Sequence, residues 1–210
     1  MAEQVHSFAS PGPAGLGALA VATFGFGAVF LGKVGLGGLP LLAAWLIGGG
    51  IVQYTTAVIE LKDHNITGGN VFLFFSAFFM FGAALSVIAK FFMHHFGITP
   101  LSYVEGWCWL AGAGFLTIVT PAYLKGPKTL FFIVIFLDIA LWLIAGIDLM
   151  IFSAAFKPVV GYLLIGSGVL ALYTAGAVVN NTVFGRTILP LPVPFSESSL
   201  KAKALSSQPN

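Results

Sequence analysis

Charged residues are scarce in this sequence: Asp, Glu, Lys and Arg make up 8% of its 210 residues, and the formal net charge is +2. Soluble globular domains carry about 25% charged residues. So small a net charge, without a basic patch, also argues against nucleic acid as a partner. The composition therefore excludes an ordinary soluble domain and a nucleic-acid-binding protein.

Cysteine and clustered metal ligands are also lacking. The single cysteine, Cys108, excludes an internal disulfide framework and a cysteine-rich metal site. A membrane enzyme would have to use His64, His94, His95 and Glu105, but His64 is predicted in a cytoplasmic loop and the other three outside. We therefore expect solvated histidines at the interfaces, no catalytic residue, no cofactor and no metal.

Long apolar runs dominate what is present, and 58% of the residues are hydrophobic. Continuous runs of about 20 residues are typical of helices that cross a ~30 Å hydrocarbon core. The predicted fold class is an all-α membrane protein with six transmembrane helices, at residues 13–31, 39–60, 70–92, 101–123, 129–151 and 159–179. They form one membrane domain, residues 10–190, between tails at 1–9 and 191–210. The N-terminal tail lacks the basic segment of a cleaved signal peptide, so we expect the first span to be retained.

The basic residues predict the orientation. With six spans both termini share one side, which would hold six of the nine Lys and Arg residues. The positive-inside rule places that side in the cytoplasm. We therefore expect a multi-pass protein of the plasma membrane, the inner membrane of the cell, with both termini cytoplasmic.

The segment before the first span, residues 10–16 with the sequence SPGPAGL, predicts a broken helix start. Proline fixes φ and donates no backbone hydrogen bond, so the chain should enter its helix in an extended conformation. A helix that starts at membrane depth would point unpaired N–H groups and the positive end of its dipole at a carboxylate. The alternative is a proline cap at the membrane surface.

Two polar side chains lie well inside predicted spans. Gln53 follows three glycines and must find a partner in a water-lined path or in an interhelical hydrogen bond, and both interpretations stay open. Glu60, seven residues later, is expected in solvent at the end of its span. Asp138 is a carboxylate at a depth where a charge costs at least ~2.5–3.5 kcal/mol. We interpret it as a proton-coupling or gating group; the alternative is a protonated Asp hydrogen-bonded to a neighbouring helix or subunit.

Five short motifs, taken together, resemble those of one transporter family. Residues 10–16 are similar to NPAPLGL, 48–53 (GGGIVQ) to GG-x-x-Q, 69–72 (GNVF) to G-N-T-F, and 124–128 (LKGPK) to L-K-G-x-R. Residues 173–190 match Y-x-A followed by N-x-x-F-G-R-x-x-L-P, which is the most specific of the five. Their order and spacing resemble the acetate uptake transporter family (GPR/FUN/YaaH), whose bacterial members include succinate–acetate permeases.

The resemblance implies a six-helix protomer with its own pore, assembled as a homo-hexamer in the lipid bilayer, that passes acetate, related monocarboxylates or succinate. It implies an apolar constriction at Leu19, Met80 and Leu137. The residues that we assign to substrate binding or the pore entrance are Ser10, Pro11, Pro13, Gly15, Leu16, Gln53, Asn70, Tyr173 and Asn181. Asn70 is also a candidate cap for the third span.

Two of the departures from the family pattern remove a polar or ionisable side chain. Met80 stands where the family has tyrosine, and Val178 where it often has glutamate. A third span with fewer hydroxyl groups offers fewer hydrogen bonds, so the substrate could be a smaller or more apolar acid, or permeation less selective. A proton-coupled symporter and an anion channel both fit, because a neutral weak acid crosses an apolar neck more cheaply than its anion. A channel for urea or short amides and an ammonium channel are the rival functions.

Overall fold

Six apolar helical spans follow one another along the chain, as predicted. The computed structural model describes residues 9–195, which contain helices and their connections but no strand. Of the predicted tails at 1–9 and 191–210, all but residue 9 and residues 191–195 lie outside the described residues. The six spans are long and apolar enough to cross a membrane, which confirms the predicted fold class.

The helices begin and end close to the predicted limits. The α-helices are α1 (Gly12–Phe30), α2 (Leu39–Lys62), α3 (Ile66–Phe75), α4 (Ala83–His95), α5 (Tyr103–Val119), α6 (Lys128–Asp148) and α7 (Lys157–Val183). The π-helical segment Ser76–Gly82 joins α3 and α4 into one span, and the 3-10 helix Thr120–Lys125 extends α5. Shorter 3-10 turns, Leu36–Gly38 and Ala154–Phe156, lead into α2 and α7.

Proline and asparagine determine where several helices start. Pro13, Pro40 and Pro158 lie in the first turns of α1, α2 and α7, where a missing N–H breaks no helical hydrogen bond. Asn65 caps α3 because its side chain accepts a hydrogen bond from the backbone N–H of Gly68 at 3.1 Å. The third span therefore starts four residues before Asn70, and the prediction that Asn70 caps it is wrong.

The spans form a ring in chain order. α1 packs against α2 and α7, α7 against α6, α6 against α5, and α2 against α3 and α4. Between the third and fourth spans the ring closes through aromatic contacts. Phe74 stacks on Phe115 with 4.4 Å between ring centroids, and Phe79 meets Trp109 edge-on at 6.1 Å. Large apolar side chains such as Trp45 and Ile118 are exposed on the outside of the ring, where a membrane protein meets lipid.

Glycine lets α1 and α7 approach each other closely. A Cβ atom at Gly27 would lie 3.1 Å from the carbonyl oxygen of Gly161 and 2.7 Å from Cγ1 of Ile165. A Cβ atom at Gly161 would lie 3.0 Å from the carbonyl oxygen of Gly27. These distances leave no room for a methyl group, so the crossing depends on glycine in both helices.

The substitution Gly27→Ala should push α1 and α7 apart. We expect it to destabilise the protein by about 1–3 kcal/mol, as overpacked interiors do, and to lower the thermal unfolding midpoint in detergent. Gly17→Ala, on the same helix, is the matched control because a Cβ atom at Gly17 meets nothing within 4 Å. A midpoint for Gly27→Ala equal to that of Gly17→Ala would contradict the role of this crossing.

Candidate functional site

A cavity of about 210 Å³ lies inside the ring and extends from one end of the bundle to its middle. Residues near helix ends line its mouth: Ser10, Gly12, Pro13, Glu60, Asn65, Tyr123 and Pro127. Residues near the middle of the spans line its inner part: Leu16, Leu19, Gln53, Phe75, Leu116, Leu137 and Thr174. The mouth is on the side where α1 begins and α2 ends.

One face of α2 carries most of the polar side chains in this region. Gln53, Thr56 and Glu60 are spaced three and four residues apart, which places them on one side of the helix. Their exposed fractions are 0%, 2% and 6%. The burial of Glu60 corrects the expectation that it is solvated. Glu60 follows Gln53 by seven residues, or about two helical turns, and this spacing indicates from sequence that the two side chains lie on the same face of α2.

Glu60 gathers the polar groups of the mouth. Its Oε1 accepts a hydrogen bond from Ser10 Oγ at 3.4 Å, and its Oε2 accepts one from Asn65 Nδ2. Of the described residues that line the cavity, Glu60 and Tyr123 alone have ionisable side chains, and none is Lys, Arg or His. A carboxylate that enters this cavity therefore meets a carboxyl group and no positive side chain.

Gln53 brings an unused hydrogen-bond acceptor to the inner part of the cavity. Its Nε2 donates to the carbonyl oxygen of Gly15 at 3.4 Å. Its Oε1 is buried and has no hydrogen-bond partner among the described residues. A buried amide oxygen without a donor is costly, and the cost is removed when a ligand or water supplies an O–H or N–H. Both interpretations of Gln53 are compatible with this geometry. Its Nε2 makes an interhelical hydrogen bond, and its Oε1 is an acceptor without a partner in a residue that lines the cavity.

The start of α1 differs from the prediction. Ser10 Oγ accepts a hydrogen bond from the N–H of Gly12 at 3.4 Å, and the carbonyl oxygen of Pro11 accepts from Ala14 at 3.0 Å and Gly15 at 3.3 Å. The expectation of unpaired N–H groups aimed at the substrate is therefore wrong, because the proline turn itself supplies acceptors. The Pro11 carbonyl also accepts a hydrogen bond from Thr56 Oγ1 at 3.5 Å, which ties the start of α1 to α2. Pro11 itself has helical backbone angles, so the predicted extended entry into the helix is wrong at this residue.

The three predicted constriction residues are not equivalent. Leu19 and Leu137 line the inner end of the cavity, whereas Met80 is fully buried and does not line it. The Met80 sulfur lies 3.2 Å from where Gly49 would carry a Cβ atom. Beyond the inner end, Phe26 and Phe79 pack together with 5.3 Å between ring centroids. These side chains belong to the apolar core of the bundle.

Three predicted site residues lie away from the cavity and bond to backbone. Asn70 is exposed and donates to the carbonyl oxygen of Ile66 at 2.8 Å. The Tyr173 hydroxyl donates to the carbonyl oxygen of Pro190 at 2.6 Å. The Asn181 side chain donates to Leu189 O at 2.8 Å and accepts from the N–H groups of Ile188 and Leu189 at 2.7 and 3.0 Å. Tyr173 and Asn181 thus fasten the segment after α7 onto that helix.

Asp138 also lies outside the set of residues that line the cavity, although its neighbour Leu137 belongs to it. The hydroxyl of Thr117 donates to both carboxyl oxygens of Asp138 at 2.9 Å, and Trp142 Nε1 donates to Thr117 Oγ1 at 3.0 Å. These contacts join α5 and α6 on the outside of the ring. The proton-coupling role of Asp138 stays a prediction.

Comparison with known proteins adds three findings. The model of the GPR1/FUN34/yaaH family matches residues 1–193. The succinate-acetate/proton symporters SatP of Escherichia coli K12 and of Shigella flexneri are each 29% identical over 191 residues, covering 87% of this chain and 95% of theirs. A solved structure of the bacterial acetate channel SatP superposes with a TM-score of 0.76 at 28% identity, covering 88% of this chain and 99% of that one.

The contacts of Asn181 predict a structural role. We expect Asn181→Ala to destabilise the protein by about 1–3 kcal/mol, because two backbone N–H groups lose their acceptor. Faster trypsin cleavage at Arg186 would show that the segment has been released. Asn180→Ala is the control, since the side-chain hydrogen bond that Asn180 makes among residues 9–195 stays within its own helix, to Gly176 O at 2.8 Å. Equal cleavage rates for the two variants would refute the fastening role.

Proposed function

The chain belongs to the GPR1/FUN34/YaaH family, and from that premise we propose that it carries acetate and related small carboxylic acids, succinate among them, across the membrane. The family relatives are a symporter and a channel, which points away from an enzyme. The six apolar helices make it a multi-pass membrane protein. We further propose that the protein lies in the inner cell membrane with both termini in the cytoplasm; the distribution of Lys and Arg supports that orientation of the termini.

Two features of the cavity carry the proposal. Its described mouth residues include no positively charged side chain, and Gln53 on its inner wall has an amide oxygen without a hydrogen-bond donor. A carboxylate must shed its water to pass Leu16, Leu19 and Leu137, and none of the described residues that line the cavity is a Lys, Arg or His that could replace that water. The neutral acid keeps one O–H donor and loses far less hydration. We therefore propose that the acid passes the leucine neck in its protonated form.

Gln53 is suited to receive that protonated acid. Its buried Oε1 can accept a hydrogen bond from the acid O–H, while the bond from Nε2 to Gly15 O holds the amide in place. An acid held there would have its carbon chain against Leu16 and Leu19. The free oxygen of Gln53 favours the acid form over the carboxylate. The acid has an O–H group that can donate to this oxygen, whereas a carboxylate has only acceptor oxygens.

Glu60 is suited to exchange the proton at the mouth. An acid that arrives from the neck transfers its proton to the Glu60 carboxylate and leaves as an anion. Glu60 then releases the proton to the water at the mouth, so one proton moves with each acid. The contacts from Ser10 and Asn65 hold Glu60 in the cavity wall, within reach of a solute that enters. Under this scheme the protein behaves as a symporter, and the observed packing of Phe26 against Phe79 must open during transport.

Gln53→Leu tests the acceptor. We expect labelled acetate flux in liposomes to fall about tenfold, which corresponds to the loss of one buried hydrogen bond of about 1.4 kcal/mol. We expect the unfolding midpoint to stay level or rise, because an unsatisfied buried oxygen is removed. The opposite pattern, normal flux with a clearly lower midpoint, would leave Gln53 as an interhelical brace only. Urea flux in the same liposomes separates acid transport from a general small-solute channel.

Glu60→Gln tests the proton exchange. The amide keeps the size of the side chain and one of its two acceptor oxygens but cannot take up a proton, so acetate uptake driven by a pH gradient should fall about a hundredfold. Asp63→Asn, at the end of the same helix but outside the cavity lining, is the control. If the pH gradient drives uptake equally well in both variants, Glu60 is not the exchanging group.

A further inference from the structure

Another cavity, of about 350 Å³, lies between the third and fourth spans. The residues that line it include Phe74, Phe78, Ser86, Glu105, Cys108 and Trp109. No described residue lines both this cavity and the one inside the ring. Phe78 is 58% exposed and Cys108 is exposed, so the cavity opens on the outside of the ring. We call it the outer groove, and it is separate from the passage proposed for the acid.

The apolar part of the outer groove has the length of an acyl chain in one leaflet. From Phe74 to Ser86 the third span advances twelve residues, or about 18 Å. Half of a ~30 Å hydrocarbon core is about 15 Å. The rings of Phe74, Phe78 and Trp109 supply apolar surface, and small residues such as Gly82 leave the groove open. Because an unfilled groove loses dispersion contacts, hydrocarbon fills it in a bilayer.

Charged side chains of both signs lie at one end of the outer groove. Glu105 accepts a hydrogen bond from Ser86 Oγ and forms an ion pair with Lys90. Ser86, Lys90 and His94 are spaced four residues apart, which places them on one face of α4. The side chains of Lys90 and Glu105 are 31% and 24% exposed. Both residues lie within about 8 Å of an end of their helix, which is the depth of lipid headgroups.

The charges around this end of the outer groove balance. Asp148, at the end of α6, interacts electrostatically with Lys90, Glu105 and Lys157. Because two carboxylates face two ammonium groups, a purely anionic headgroup gains little net attraction. A headgroup of both signs finds a partner for each, since its phosphate can accept from Lys90 and a primary ammonium can donate to Glu105. A quaternary ammonium has no N–H group and cannot make the second contact.

We propose that the outer groove binds a phospholipid with a phosphoethanolamine headgroup. One acyl chain lies along Phe74, Phe78 and Trp109, the phosphate contacts Lys90, and the ammonium group contacts Glu105. The bound lipid fills the joint between the third and fourth spans, whose direct contacts include two aromatic pairs and the polar group around Glu105. The site uses no residue of the proposed transport mechanism, so its test needs no measurement of flux.

Cys108 reports whether the outer groove is occupied, because it lines the groove and is the single cysteine of the chain. In delipidated protein in detergent, phosphatidylethanolamine should slow the alkylation of Cys108. Phosphatidylcholine and phosphatidylglycerol with the same acyl chains should need about tenfold higher concentrations, because each lacks the charged hydrogen bond to Glu105. The control is Ile118→Cys in a Cys108→Ser background, at a position that is 80% exposed on α5 outside the groove. Equal protection of Cys108 by all three lipids would overturn the proposal.

Variants separate the headgroup contacts from the acyl-chain contacts. The double variant Lys90→Gln with Glu105→Gln leaves neither partner as an unpaired charge, and it should lose the tenfold preference for phosphatidylethanolamine while it still binds lipid. A preference that persists in this variant would refute the headgroup contacts.

Ala111→Phe places a ring in the groove and should remove bound lipid from the native mass spectrum of the purified protein. Gly114→Phe is the matched control, because a Cβ atom at Gly114 meets nothing within 4 Å. Lipid retained in Ala111→Phe would contradict the site. Protection of Cys108 that depends on protein concentration and not on lipid would show that a second copy covers the groove, which would also overturn the proposal.

Discussion

The absence of hydrogen-bonding partners in hydrocarbon is the constraint on which this structure depends. Several hydroxyl groups within the spans find an acceptor in their own helix: Thr120 and Thr174 donate to carbonyl oxygens one turn earlier. Gln53 Oε1 and the Asp138 carboxyl group are not fully satisfied in this way. One lies beside the inner cavity, and the other lies on the outer surface of the ring.

The cavity has a polar mouth and an apolar inner part. Glu60, Ser10 and Asn65 form a hydrogen-bonded group where water enters, and the leucines begin about two helical turns deeper. None of the described residues that line the wall is Lys, Arg or His, so in the proposed mechanism protonation decides which species advances. A symporter and a channel are both compatible with the proposed mechanism, in which the proton travels on the substrate and leaves through Glu60.

Several elements of the site were predictable because they depend on neighbours in sequence. The proline turn before α1 and the spacing of Gln53 and Glu60 along α2 are local features, and both appear in the cavity wall. Asn181 was predicted in the pore but bonds to the following turn, because the motif that contains it also ends a helix. Asn70 was predicted to cap the third span. The helix starts earlier, at Ile66, because Asn65 caps it by accepting a hydrogen bond from the backbone N–H of Gly68.

The sequence by itself determined the membrane class, the number of spans and the family, because composition, run length and motif spacing are properties of consecutive residues. Only the tertiary structure decided which side of each helix faces the cavity. Leu137 and Asp138 are adjacent, but successive residues point about 100° apart around a helix. Leu137 therefore lines the passage and Asp138 lies on the outer surface. Rotation of a helix about its axis is set by packing against its neighbours, and in an all-apolar helix no sequence period reveals it.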